Sequence, residues 1–237
     1  PQPFMTKLRE MTLSQARRIT SSDAGSLYLA ERTDDNSPPR RLQFKLTQNF
    51  SLPNIPFSES TIPIDHTSLS GYVAATGQPL VIADVYLLPE DVTYKQNRYF
   101  DEKFGYRRKS MLVLPMRTHK DETIGVLQLI NRKKNSDAVL SSEDVVGQEV
   151  YPFDQRSVEL VSALAWQAAV AIENSLLYED IEKLFDGFVS AAVEAIEQRD
   201  PTTSGHSNRV ATLTVGLAQA VGRGSPGEYR DVEFTKD

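Results

Sequence analysis

The sequence contains no cysteine. That excludes disulfides, thiolate metal sites, cysteine nucleophiles and thioether-linked chromophores. It fits a reducing compartment, and the expected location is cytoplasmic. Histidine is scarce: His66, His119 and His206 are scattered and cannot form a multi-histidine metal site within this chain. Phosphate-cradling glycine loops are missing, with no GxGxxG and no GxxxxGK[ST], and there is no GxSxG elbow. No complete catalytic constellation is legible, so the chain is expected to be catalytically silent. The longest uncharged apolar run, around Val161–Ile172, falls far below the ~18–20 residues of a membrane span. No signal peptide is seen, and the N-terminal PQPFMTKLRE reads as a cut from a longer chain. Basic residues are the minority, 26 Lys and Arg against 32 Asp and Glu, for a net charge of −6. That balance argues against nucleic acid as the main partner, because phosphate binding needs a basic face.

What is present is core material. The chain has 237 residues, 40% of them apolar, with 10 Phe and 9 Tyr. That suffices for one or two folded domains and argues against global disorder. Phe4, Leu8, Met11 and Ile19 recur near a 3.6 period, which predicts a helix over Phe4–Ser21. Asp23-Ala-Gly25 reads as its break. Alternation predicts strands over Ser26–Thr33 and Arg41–Phe50, joined by the turn residues of DDNSPPR. A Pro-rich loop follows. Thr67–Pro79 reads as a short helix, capped by Thr67 or Ser68 and closed by Gly77. Strands are expected at Leu80–Val85, Lys109–Thr118 and Thr123–Arg132, with a helical piece near Asn97–Lys103. Lys133–Val150 reads as loop, and Phe153–Asp200 as one long helix ended by Pro201. This order predicts an α+β fold, an antiparallel sheet flanked by N- and C-terminal helices.

Four segments then resemble a GAF domain, a small-molecule sensing module. They are DAGSLYLAE (23–31), SLSGYVAATGQPLVIADVY (68–86), residues 99–134 around GVLQLINRKK, and residues 151–184 from YPFD onward. The resemblance implies a GAF-like sheet and a ligand over it. Motif register carries ligand-contact positions to Ser26, Ser70, Phe104, Arg108 and Gln128. The resemblance implies a purine-like or anionic molecule, with Gln128 against a base edge and Arg108 against a phosphate. The chain departs from cyclic-nucleotide-binding members at Phe104, Arg108 and Gln128. In the family's asparagine-lysine-phenylalanine-aspartate-glutamate signature, Asn131 and Phe153 match, Arg132 replaces lysine, and the acidic pair falls on Ser157-Val158. The runs Arg107-Arg108-Lys109 and Arg132-Lys133-Lys134 otherwise read as solvated turns.

A second resemblance begins at FVSAAVEAIEQRDPTTSGHSNRVATLTVGLAQAVG (188–222), which is similar to the opening of an HD-GYP phosphohydrolase domain. It implies that the full-length protein is a metal-dependent cyclic di-GMP phosphodiesterase, using Fe or Mn, with His206 supporting the metal. Thr202 stands where three-metal members carry Glu, which implies a two-metal centre. No His-Asp dipeptide and no Gly-Tyr-Pro occurs here. The expected organisation is a sensor over 1–178, a signalling helix over 179–199 and an incomplete HD-GYP fragment over 200–237.

Val170, Asn174, Leu177, Ile181, Leu184, Phe188, Ala191 and Ala195 step by 4-3-4-3-4-3-4. That is a coiled-coil seam, and it predicts a parallel homodimer over Asn174, Leu177, Ile181, Leu184 and Phe188. Before about Tyr178, packing on the domain's own sheet competes with this reading. A rival of another class is a domain that dimerises and binds nothing. A light or haem sensor is opposed by the absent cysteine and by histidines outside any haem context.

Overall fold

A computed structural model describes residues 2–31, 38–54, 56, 59–199 and 205–222 of the chain. Two compact units are distinguished, residues 1–177 and 178–237.

The first unit is built on one sheet. Helix α1 (Gln2–Thr20) leads into β1 (Ser22–Glu31), and β2 (Arg41–Asn49) and β3 (Thr61–Pro63) follow. Next come α2 (Leu69–Thr76), β4 (Leu80–Ile82) and α3 (Tyr99–Phe104). Strands β5 (Met111–Arg117) and β6 (Thr123–Lys133) form the centre with β1, and α4 (Glu143–Glu149) and β7 (Val150–Tyr151) precede the long α5 (Gln155–Arg199). The order across the sheet is β3-β2-β1-β6-β5-β4, with β7 on the far end of β6, and every pairing is antiparallel.

Alternation along the strands divides the core in two. Leu27, Leu112, Leu114, Leu127 and Leu129 face α1 and α5, which contribute Leu13, Ala16, Val161, Ala165, Ala169 and Ile172. Ala24, Met111, Val113, Val126 and Ile130 face the other way, under Leu69 and Val73 of α2. Gly125 is demanded by this layering. A Cβ there would lie 2.5 Å from the Tyr28 carbonyl on the paired strand.

The short helix is made by its caps. Ser68 accepts from the Gly71 amide, and Gly77 closes α2 at φ 65° in the left-handed region. Ser142 caps α4 in the same manner, accepting from the Val145 amide. Four readings need correction. Strand β1 starts at Ser22, so Asp23-Ala-Gly25 is strand and not a break; the helix is ended by Ser21, at φ 53°. Inside the Pro-rich loop, β3 pairs Ile62 with Leu42. Residues 133–150 hold α4 and β7, too short to leave a periodic signal. Lastly, α5 is long and apolar enough to cross a membrane by length and composition. Its first half packs Val161, Ala165 and Ile172 on the sheet, as a core helix does.

The second unit, as described, is the C-terminal part of α5 and helix α6 (His206–Gly222). Leu184, Phe188, Leu213 and Leu217 are exposed in it. The Asp200–Ser204 joint and the segment 227–237 lie outside the described residues.

Candidate functional site

The sheet face under α2 carries an unusual density of polar groups. Register sets Ser26 of β1 between Thr47 of β2 and Gln128 of β6, with Val113 of β5 beyond Gln128. Ser26, Gln128 and Ser70 of α2 are all buried. The Ser26 and Thr47 hydroxyls lie 3.3 Å apart, and Thr47 also donates to the Gly25 carbonyl. Tyr28, two residues along the same face, brings the group together. Its hydroxyl lies beside the side chains of Ser26 and Ser70, and its ring stacks on Phe44 at 5.0 Å. Burial raises the Tyr28 pKa, and the nearby Arg108 charge and the two serines counter part of that rise. Gln128 is only 6% exposed, yet its amide makes no hydrogen bond among the described residues. A buried primary amide brings two donors and an acceptor that want partners.

Arg108 reaches the edge of this group already committed. Its Nε donates to the buried Asp101 carboxylate and its Nη2 to the Asn97 carbonyl at 2.6 Å. The Gln96 amide, turned toward the guanidinium, accepts at 2.8 Å, and the guanidinium lies 5.2 Å from the Phe100 ring centroid. Asp101 also accepts from the Tyr86 hydroxyl at 2.6 Å. Burial first, then Asp101, raises the Tyr86 pKa to about 12. The Tyr86 ring itself lies under two guanidinium groups, Arg98 at 4.6 Å and Arg107 at 4.5 Å. Phe104 is half-buried on α3, its ring 4.8 Å from Phe100. Of the five residues singled out in sequence, Ser26, Ser70 and Gln128 therefore share one polar group. Arg108 borders it with its charge matched by Asp101, and Phe104 belongs to the aromatic layer of α3.

A second buried polar group lies where β1 starts and β6 ends. Lys133 and Asp23 are 1% and 0% exposed and pair at 2.9 Å. Asp23 accepts from the Tyr106 hydroxyl at 2.7 Å and from the Ser51 hydroxyl at 2.8 Å. Burial and Asp23 raise the Tyr106 pKa well above its ordinary value. Lys133 also donates to the Ala138 carbonyl and sits 4.1 Å from the Phe50 ring centroid. Lys133 is thus not a solvated turn residue. Asn131, at φ 56°, donates to Tyr106 and the Arg107 carbonyl and accepts from the Lys109 amide at 2.7 Å. Arg132 pairs with Asp154 at 2.7 Å, directly after Phe153, so the ion pair forms at Asp154 and not at Ser157-Val158. Asp154 also caps α5 by accepting from the Ser157 amide at 2.8 Å. These bonds hold the Asp154 pKa down at about 2, the Ser157 contacts first and Arg132 after.

His206 is the first residue of α6 and is exposed. No group of three His, Asp or Glu able to hold a metal occurs among the described residues. One imidazole does not by itself make a metal site. Asn174, Leu177, Ile181, Leu184 and Phe188 are exposed along α5.

A family model for the GAF domain matches residues 6–172. This chain belongs to the GAF domain family. Among solved structures, the GAF domain is similar in fold to a fragment of a methyl-accepting chemotaxis protein. There the TM-score is 0.51 at 18% identity, covering 73% of this chain and 90% of that one. It is likewise similar to a GAF domain/HD domain protein from Geobacter sulfurreducens, at TM-score 0.50 and 14% identity, covering 73% and 94%. In sequence it is similar to a cGMP-specific 3',5'-cyclic phosphodiesterase of Drosophila melanogaster, 27% identical over 165 residues, 68% of this chain and 13% of that protein. A Drosophila ananassae protein of the same name matches at 27% over 12% of its length. The chain therefore spans about an eighth of the length of these curated relatives.

The sequence does not single out Tyr28 or the Tyr86–Asp101–Arg108 chain. No spacing signal marks them, since Tyr86 and Asp101 are brought together by a loop and not by a period.

Proposed function

We propose that this GAF domain is the regulatory, small-molecule-sensing part of a cytoplasmic signalling protein. Its ligand is a planar molecule with a donor–acceptor edge, a purine nucleotide by class, bound at Ser26, Tyr28, Ser70 and Gln128. The observation that carries the reading is the Gln128 side chain, only 6% exposed and without a hydrogen bond among the described residues, one strand from the Ser26 hydroxyl. A ligand edge that meets this amide adds about 0.5–1.5 kcal/mol for each hydrogen bond. The printed name of the Drosophila relatives, a cGMP-specific phosphodiesterase, supports the purine class. Arg108, matched by Asp101, borders the ligand and does not act as a free phosphate receptor. Phe104 and Phe100 cover it from α3.

The same proposal takes the full-length protein to be a metal-dependent HD-GYP phosphodiesterase for cyclic di-GMP, with Fe or Mn and His206 among the metal-site residues. The motif RDPTTSGHSNRV supports this, and this chain alone is inactive. A thermal-shift series with cGMP, cAMP and GMP tests the sensor. At 100 times its dissociation constant a ligand adds about 2.7 kcal/mol to stability. The shift is expected to vanish in Gln128→Leu. No shift with any purine nucleotide sinks the ligand reading and leaves a domain that acts by contact alone. Cyclic di-GMP turnover by this chain with added Mn, in protein free of contaminating enzyme, sinks the expectation of inactivity.

A further inference from the structure

Ser26, Ser70 and Gln128 are 5%, 3% and 6% exposed, so no molecule reaches them until a part of the fold moves aside. Helices α2 and α3 both pack on that face of the sheet, α3 through Phe100, and they are held unequally. Helix α2 buries Leu69, Ser70, Gly71 and Val73 and is closed by a cap at each end. Helix α3 buries Asp101 alone. Among the described residues, no backbone hydrogen bond joins α3 to a strand or to α2. Its polar ties run through side chains that share the Asp101 carboxylate, which accepts from Arg108 and from Tyr86. Arg108 makes the larger fastening, because the same guanidinium also holds the Asn97 carbonyl and the Gln96 amide just before the helix. Upstream of these, the anchor is backbone: the Lys95 amide donates to the Thr67 carbonyl at 2.9 Å. Downstream lies Gly105, in the left-handed region at φ 61°, where a Cβ would meet nothing. Residues 96–105 therefore run from a fixed anchor to a left-handed glycine, fastened between them by one arginine.

We propose that α3 is a gate over the Ser26, Ser70 and Gln128 face, hinged at Gly105, and that Arg108 is its latch, acting through Asp101. A buried carboxylate is tolerated while a cation meets it, and removal of the cation leaves an uncompensated charge. The closed position of α3 is therefore conditional. With Arg108 engaged, Asp101 stays inside and the face is shut. With Arg108 disengaged, Asp101 moves to water and carries α3 with it, because no other residue of that helix is buried. Helix α2 does not serve as the moving part, since lifting it exposes Leu69 and Val73, at about 1.5–3 kcal/mol each. Arg108 is a positioning residue in this scheme. It sets how often the face opens and leaves the choice of base edge to Gln128. The gate's purpose rests on the purine reading of that face, whereas the latch is a property of the ligand-free chain.

Amide hydrogen exchange of the ligand-free chain reads the latch, and stopped-flow binding of the fluorescent N-methylanthraniloyl derivative of cGMP reads the gate. Arg108→Met keeps most of the side-chain bulk and removes the charge. Expected in that variant is exchange at least about 10-fold faster over residues 96–106, with β5 and β6 unchanged. Association and dissociation of the probe are both expected to quicken at least about 10-fold. Arg108→Met combined with Asp101→Asn removes the stranded charge, leaves an acceptor for Tyr86, and is expected to restore slow exchange and slow probe rates. Arg108→Lys, the mildest change, keeps the charge but not the fork and is expected to fall between. Unchanged exchange over residues 96–106 overturns the latch. So does exchange that rises equally in β5 and β6, which marks a general loss of stability, or a double variant no slower than the single. Faster exchange with unchanged probe rates overturns the gate. If the unaltered chain binds no probe, the purine reading and the gate's purpose fall together, and hydrogen exchange still decides the latch.

Discussion

Two charged residues, Asp23 and Lys133, lie wholly inside the sensor unit, and their cost is met only as a set. A buried pair is weak evidence of net stability, but removing one member leaves an uncompensated charge. Lys133→Met is therefore expected to destabilise by about 3–5 kcal/mol, read by urea unfolding. Adding Asp23→Asn should recover part of that loss. Additive losses in the double variant would mean that the pair is not coupled. Asp154 gives the pH counterpart. Its folded pKa of about 2 lies below the ordinary 3.8, so its contribution is present above pH 3.8 and is lost as pH falls through about 2. Asp154→Asn keeps a capping side chain but not the charge beside Arg132. It should therefore flatten the loss of stability between pH 4 and pH 2. An unchanged acid slope would assign no linkage to this carboxylate.

At the scale of elements, α2 is the lid over the polar face, and it is short enough to depend on its ends. An eight-residue helix is marginal by itself, and most of its stability comes from caps and packing. Ser68→Ala removes the bond to the Gly71 amide and should cost about 1 kcal/mol. Because Ser70 sits two residues from that cap and beside Tyr28, the same change should weaken the proposed ligand binding before it unfolds the unit. A titration showing full affinity with lowered stability would separate the lid from the binding group. The aromatic layer of α3 is held differently. It is fastened by the Tyr86–Asp101–Arg108 chain, so its position rests on polar side-chain bonds more than on helix propensity.

At the scale of the molecule, the two units differ in what they bury. The first has two complete cores, one on each face of the sheet. In the second, the described large apolar residues stay exposed. A fragment of residues 1–178 is expected to keep the near-ultraviolet circular dichroism of the sensor unit. A fragment of residues 179–237 should be unfolded at micromolar concentration, because it cannot bury enough apolar surface to offset chain entropy. Cooperative unfolding of the second fragment alone would show that it carries a core of its own.

The periodic parts of this chain were determined by its sequence. Leu42, Phe44 and Leu46 alternate, GVLQLIN is a continuous apolar strand, and Ser68 with Gly77 brackets a helix; local sterics and burial leave those segments few choices. Motif register singles out Ser26, Ser70 and Gln128, and the structure buries all three, with Ser26 opposite Gln128. What only the tertiary structure decided are the partners of long side chains. Lys133 sits in a run of three basic residues that reads as solvated, and the fold buries it against Asp23, beside the Phe50 ring. Arg108 reads as a free phosphate ligand, and Asp101 neutralises it across seven residues of turn. Tyr28 carries no mark of its own in the sequence, and the fold sets its hydroxyl beside serines from two different elements. A period encodes which face a residue takes, since backbone geometry repeats. Which charge or hydroxyl it meets depends on loop paths that carry no period, and folding alone brings those groups together.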